Sequence, residues 1–374
     1  MVLLTRIEKI LETYNKENFI YSKVIDKNKI KVHFEKNETE FKSELPKDNS
    51  SLLIITDPGF SGTYLNKLNI YKLATIWKIS EESIEEVNKI ILNTNNITQV
   101  MGFGGGKSID VAKMIAYKTK IPLISIPTAP SHDGQIAKNC ALKENGIKKS
   151  FSTLYPKKIL IPKHLWTTSG NLKRAGALDI ASNVVALQDV SLSINKTNFK
   201  PDFEHLTYAL LSVKKILKEQ TMDSLAEALI MSGLAMDTHS NYCSGSEHEI
   251  EKITIPILNK NYTHGQLAGT GAIIASKIYE LYTNKLPNNL FFDNNTMYME
   301  IMRLYKEYNV LEFALKPIKE NKKQIAEILK TASKIRPERY TLWNIIDSTT
   351  IDWNTILDSI LKYPNNTNKI PLKN

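Results

Sequence analysis

The chain has 374 residues, 42% of them hydrophobic and 24% charged, with 49 lysines and arginines against 39 aspartates and glutamates. That length and apolar content suit two packed domains and exclude a disordered chain. The formal charge of +10 is dispersed among asparagines and glutamates, without the basic, aromatic-interleaved stretches of a nucleic-acid surface.

The N-terminal segment MVLLTRIEKILETY is charged and helix-periodic rather than a signal peptide, and no apolar run reaches the ~20 residues of a membrane span. A cytoplasmic protein without membrane insertion is expected. Over residues 1–165, short β-like runs alternate with helical patterns, which is how a parallel α/β layer reads. The strands expected are Ser51–Thr56, Leu73–Trp77, Thr98–Phe103 and Leu123–Ile126, with helices at Glu81–Asn93 and Ile109–Lys118. Lys143-Glu144-Asn145-Gly146 reads as the turn of a hairpin within Asn139–Ile161, beside the domain boundary. Residues 166–374 are expected to be all helical, with amphipathic stretches at 171–195, 205–218, 223–237, 266–284, 296–307 and 321–335 and a frayed polar tail at 364–368. Only Cys140 and Cys243 are present, in unrelated contexts, so neither a disulfide framework nor a thiolate zinc site is available.

Between the third strand and its helix runs Met101-Gly102-Phe103-Gly104-Gly105-Gly106-Lys107-Ser108-Ile109-Asp110. Glycines let backbone approach an anion closely, and the free N–H groups of a helix start supply positive potential, so the loop suits a diphosphate. It is neither a P-loop, whose first glycine would replace Met101, nor a GxGxxG, whose last would replace Lys107. A turn that only packs helix on strand stays open on the residues alone. The next strand delivers Thr128, Ser131, His132 and Asp133 to the same carboxyl edge, where open α/β sheets bind ligands.

In the helical half, Asp179, His248 and His264 occur in apolar or glycine-rich settings. A carboxylate buried in an apolar helix needs a partner or a metal, and one carboxylate with two imidazoles suits zinc, iron or a related ion with a position left open for substrate. Their separation along the chain has no diagnostic value, and a lone histidine is more often a satisfied structural residue.

Four motifs in order, GFGGGKSIDVAK at 102–113, PTAPSHDG at 127–134, SGSEH at 244–248 and HGQLAGTG at 264–271, with AGxxDxxSN from Ala175 to Asn183 between the second and third, resemble the glycerol-1-phosphate dehydrogenase branch of the superfamily that also holds iron-containing alcohol dehydrogenases, glycerol dehydrogenase and dehydroquinate synthase. The resemblance implies a dehydroquinate synthase-like fold, in which an N-terminal α/β dinucleotide-binding domain faces an all-α C-terminal domain across the active-site cleft. It implies that Gly104, Gly105, Gly106, Lys107, Ser108, Ile109 and Asp110 hold NAD or NADP, with Thr128 and Ser131 near the nicotinamide. Asp133 and Asp179 would contact substrate, and Asp179, His248 and His264 would bind a divalent metal, zinc ahead of iron or nickel. The activity implied is hydride transfer between NAD(P)H and a small phosphorylated ketone, with dihydroxyacetone phosphate and sn-glycerol 1-phosphate as the pair, in a homo-oligomer.

The chain departs from the family at Ala137, Asn139, Leu178 and Lys252, where serine, arginine, glycine and histidine are common. Lys252 could still hold a phosphate as a point charge. Two other readings remain: a dehydroquinate-synthase-like cyclase, which returns its hydride within one cycle, and a catalytically silent nucleotide- or phosphate-binding protein.

Overall fold

The computed structural model describes residues 2–14, 25, 30–47, 50–69, 74–237, 239–258, 262–336 and 339–363. The expectation for the tail at 364–368 lies outside them.

Six parallel strands form one sheet: β1 (Lys31–Glu35), β2 (Leu52–Thr56), β3 (Thr75–Lys78), β4 (Gln99–Gly104), β5 (Leu123–Pro127) and β8 (Lys158–Pro162), in the order β1-β8-β5-β4-β2-β3. β2 and β5 are buried at every residue because both faces of the sheet are covered. Leu53 and Ile55 of β2 join the cluster formed with α4 (Ile84–Leu92) and α5 (Gly106–Thr119). Leu52 and Ile54 face the other way, towards α2 (Glu38–Glu44) and α3 (Phe60–Leu68). β6 (Asn139–Glu144) and β7 (Ile147–Ser152) pair separately as an antiparallel hairpin. The hairpin was expected to run to Ile161. Instead residues 158–162 return to the sheet beside β1, a strand that sequence reasoning passed over.

The long helices are α6 (Asn171–Lys196), α7 (Phe203–Lys218), α8 (Met222–Ala235), α9 (Ser246–Thr254), α10 (His264–Leu281), α11 (Asn294–Glu307), α12 (Leu311–Leu329) and α13 (Trp353–Leu361). No strand follows β8 among the described residues. The helix expected at 321–335 is α12 displaced towards the N-terminus, with non-helical backbone at Asn321. α6 is apolar and long enough to span a bilayer, although no such run was read from the sequence. Since 94% of its apolar window is buried inside the fold, it is a core helix.

α1 (Val2–Tyr14) inserts Leu3, Ile7 and Ile10 into the core of the helical half rather than that of the sheet. The chain therefore starts on the helices, crosses to the sheet, and returns after β8.

Candidate active site and metal centre

The sequence order along the sheet reverses between β2 and β4, since β2 leads outwards to β3 and β4 leads back to β5. The crevice beyond such a reversal is where doubly wound sheets take ligands, and the glycine loop lies there. Gly104 adopts φ of 154°, and a Cβ on it would lie 2.8 Å from Ser108 Oγ and 3.0 Å from Asp57 Oδ2, so only glycine fits.

Beyond Gly104, α5 starts from Gly105 with no side-chain cap on its first amides. Ser108 Oγ is buried there without a hydrogen-bond partner. Lys107 is mostly exposed and pairs with Glu82 at 3.2 Å, while Ile109 is fully buried. The Asp110 carboxylate is committed to the hairpin, accepting from Ala141 N–H at 3.0 Å and pairing with Lys113.

Thr128 is held by its N–H to Gly104 O and by its hydroxyl to Ser61, both at 3.1 Å, and Ser131 is half-buried. His132 Nδ1 accepts from Gly134 N–H at 2.9 Å, which leaves the proton of the neutral ring on Nε2. Burial and the neighbouring His264 push that imidazole down to about 4.

Asp133, Asp179, His248 and His264 come together. Asp179 Oδ1 lies 3.5 Å from His248 Nε2 and 3.3 Å from His264 Nε2, and those two nitrogens are 3.3 Å apart. Buried Asp179 Oδ1 makes no hydrogen bond, although two ring nitrogens face it. A carboxylate oxygen and one nitrogen from each of two imidazoles, converging at 3.3–3.5 Å, fit a bound ion. The His264 side chain stays 41% exposed, against 8% for His248, so one face of the group is open.

Burial opposes ionisation of Asp179, but His264 and His248 hold its carboxyl far below the usual range. Burial also opposes charge on both histidines. The carboxylates of Asp179 and Glu247 nevertheless raise His248 to about 9, and Glu251 with Asp179 raises His264 well above its ordinary value. Asp133 is pushed up to about 7 by burial and by Asp179. Its Oδ2 accepts from Ser232 Oγ at 2.6 Å, and Asn183 Nδ2 donates to that hydroxyl at 2.9 Å, which fixes the direction of the Ser232 proton.

Close helix packing makes this convergence possible. A Cβ on Gly265, next to His264, would lie 2.1 Å from Ala175 O of α6, so only glycine brings α10 this near to Asp179. Lys252 is exposed on α9, next to buried Glu251. Of the other departures, Leu178 is buried against Gly269 of α10, Ala137 is buried, and Asn139 Nδ2 donates to Met236 O. Sequence reasoning missed Ser232, Glu247 and Glu251. The spacing of the two glutamates over one helical turn of α9 was their only signal.

A family profile described as iron-containing alcohol dehydrogenase matches residues 36–167. The chain is 30% identical over 278 residues to the glycerol-1-phosphate dehydrogenase (NAD(P)+) of Thermococcus sibiricus, covering 71% of this chain and 75% of that protein. It is 30% identical over 311 residues to the enzyme of the same name from Metallosphaera sedula, covering 78% and 84%. In fold it is similar to the crystal structure of a probable glycerol dehydrogenase from Sinorhizobium meliloti, with TM-score 0.63 and 15% identity over 89% of this chain and 95% of that one. It is also similar to a 2-deoxy-scyllo-inosose synthase, with TM-score 0.54 and 21% identity over 80% and 83%. The chain belongs to the glycerol-1-phosphate dehydrogenase family, within the fold shared by iron-containing alcohol dehydrogenases and dehydroquinate synthase-like enzymes.

Proposed function

We propose that the chain catalyses hydride transfer between NAD(P)H and dihydroxyacetone phosphate to give sn-glycerol 1-phosphate, at a site where Asp179, His248 and His264 hold a divalent metal. The observation that carries the proposal is the convergence of those three ligand atoms within 4.8 Å of one another, joined to close relatives named for this reaction. Zinc is the ion proposed ahead of iron or nickel, because one carboxylate and two imidazoles suit a four-coordinate site with one position open. When bound, the ion supplies Lewis-acid polarisation of a carbonyl oxygen and the nicotinamide supplies the hydride.

The chain's own residues do the rest. Residues 1–165 carry the cofactor, with the backbone of Gly104 to Asp110 around the diphosphate and Thr128 and Ser131 towards the nicotinamide. Residues 166–374 carry the metal and substrate. Asp133, held by Ser232, contacts the substrate beside Asp179 and moves the proton of the nascent alcohol, with His132 Nε2–H as a neighbouring donor. Lys252 binds the substrate phosphate as a point charge and orients the reacting carbon. The proposed working form is a cytoplasmic homo-oligomer.

The test follows NADH and NADPH oxidation with dihydroxyacetone phosphate before chelation, after it, and after zinc is restored. One NAD(P)H consumed per sn-glycerol 1-phosphate formed is expected, with activity lost on chelation. A cyclase would return its hydride and show no net consumption. Metal-replete protein that oxidises no NAD(P)H with this ketone overturns the proposal.

A further inference from the structure

Each metal-facing imidazole is gripped from behind by a carboxylate, and both carboxylates come from α9. Glu247 Oε1 lies 2.7 Å from His248 Nδ1, and Glu251 Oε1 lies 2.8 Å from His264 Nδ1. Neither glutamate meets solvent, at 0% and 3% exposure. They stand four residues apart, one helical turn, so a single face of α9 presents both. Buried carboxylates cost several kcal/mol unless paired, and the partner each has found is a ring nitrogen on the side away from Asp179.

A carboxylate at Nδ1 accepts that nitrogen's proton, so the lone pair of the neutral ring is left on Nε2. Both Nε2 atoms are the ones that converge on Asp179 Oδ1. The same contact holds each ring against rotation.

We propose that Glu247 and Glu251 are positioning residues of the metal centre: each accepts the Nδ1 proton of one histidine, fixes the ring with Nε2 towards Asp179, and so sets how tightly the ion is held. This rests on the reading of Asp179, His248 and His264 as metal ligands. With Asp179 the two glutamates put three carboxylates around the two imidazoles, a charge that favours a divalent cation.

Glu251 gives the cleaner test, because Glu247 also accepts the Gly245 N–H at the start of α9. Zinc affinity of the full-length protein is measured without substrate or nucleotide, by competition with a chromophoric chelator. Glu251→Leu should bind zinc about 10–100-fold more weakly, the usual cost of losing such a partner. Glu251→Gln should fall between it and wild type, since its amide oxygen still accepts the proton but lacks the charge. The visible bands of the cobalt-substituted protein should shift in both. A merely structural role would lower the melting temperature of metal-free and zinc-loaded protein alike, whereas a positioning role shrinks the rise that zinc produces.

Where Glu251→Leu does not fold, Glu251→Gln is made in a His264→Ala background, and there it should change zinc affinity no further. Wild-type affinity and unmoved cobalt bands in the folded variants overturn the proposal and leave the metal site standing. Wild-type protein that takes up no zinc overturns both.

Discussion

The backbone N–H of Asp133 donates to Oδ2 of Asp179 at 3.1 Å, tying the loop after β5 to the middle of α6. The two oxygens of Asp179 thus have separate duties, Oδ2 to the loop and Oδ1 to the histidines. In Asp179→Asn the amide oxygen must take the Oδ2 place, because an NH₂ there would meet the Asp133 N–H. The NH₂ then points at His248 and His264, where a donor cannot ligate. Zinc content near zero and a fall in turnover beyond the roughly 100-fold seen for outer partners are expected, with an unchanged far-UV spectrum. Stoichiometric zinc in this variant would remove Asp179 from the ligand set.

Metal-free protein should lose stability as pH rises from about 6 to about 9. His248 titrates near 6.5 when unfolded and at about 9 when folded, so its contribution is full below the lower value and is lost as pH passes the upper one. Buried acids act in the same sense. Asp133 and Asp189 are raised to about 7 by burial and by Asp179 and Glu247 respectively, and Glu249 to about 8 by burial and Asp189. Each gives stability while protonated and loses it as pH rises through its folded value. Zinc replaces the protons on the histidines, so the loaded protein should change less. Melting temperatures of chelated and loaded protein at the two pH values decide it, and a flat chelated profile would count against the buried cluster.

The sheet strands β2, β4 and β5 were legible because burial on both faces leaves a mostly apolar run such as LLIIT or LISIP. β1 was not, since KVHFE alternates polar with apolar at the sheet's edge. α9 was passed over because SEHEIEKIT holds three glutamates, and what buries them is the packing of α10 and α6. The same packing explains the partial legibility of the site. Asp179, His248 and His264 could be named through a resemblance, but nothing in their spacing shows that three helices bring them within contact. Ser232 and Glu251 acquire partners only once those helices meet. α1 reads as an amphipathic helix from sequence, yet no pattern tells which core its apolar stripe will join.

Lys113 is a stability test of the link between the glycine-loop helix and the loop after β5. Its side chain is 0% exposed, and its ammonium donates to Gly134 O and to Asn139 O at 2.9 Å, with Asp110 Oδ1 at 3.5 Å. Lys113→Met keeps the length and removes the charge, leaving two carbonyls and a carboxylate short of a partner. A loss of about 3–5 kcal/mol is expected, as for breaking a buried pair, read from urea unfolding of zinc-loaded protein. A loss under about 1 kcal/mol, the value of a surface pair, would mean that water fills the gap and that Lys113 is not the clamp.

Gly106 tests whether the cofactor loop and His132 share one space. A Cβ on Gly106 would lie 2.2 Å from His132 Nε2. The ring cannot simply lean away, because Nδ1 is anchored by Gly134 N–H. Gly106→Ala must therefore either displace His132, breaking that bond, or lift the first turn of α5 out of the crevice. Both move groups at the proposed diphosphate site, and neither displaces a ligand atom of Asp179, His248 or His264, although the His132 ring stands edge-on to that of His264 with centroids 6.3 Å apart. The expected result is a KM for NAD(P)H raised about tenfold, equivalent to roughly 1.4 kcal/mol of binding, with zinc affinity unchanged. The double variant Gly106→Ala, His132→Ala separates the two outcomes. If the ring is what yields, removing it lets the new methyl fit, and cofactor affinity recovers towards that of His132→Ala alone. If the helix is what yields, the double variant binds cofactor no better than Gly106→Ala. An unchanged KM in the single variant would show that His132 and the loop do not compete for this space.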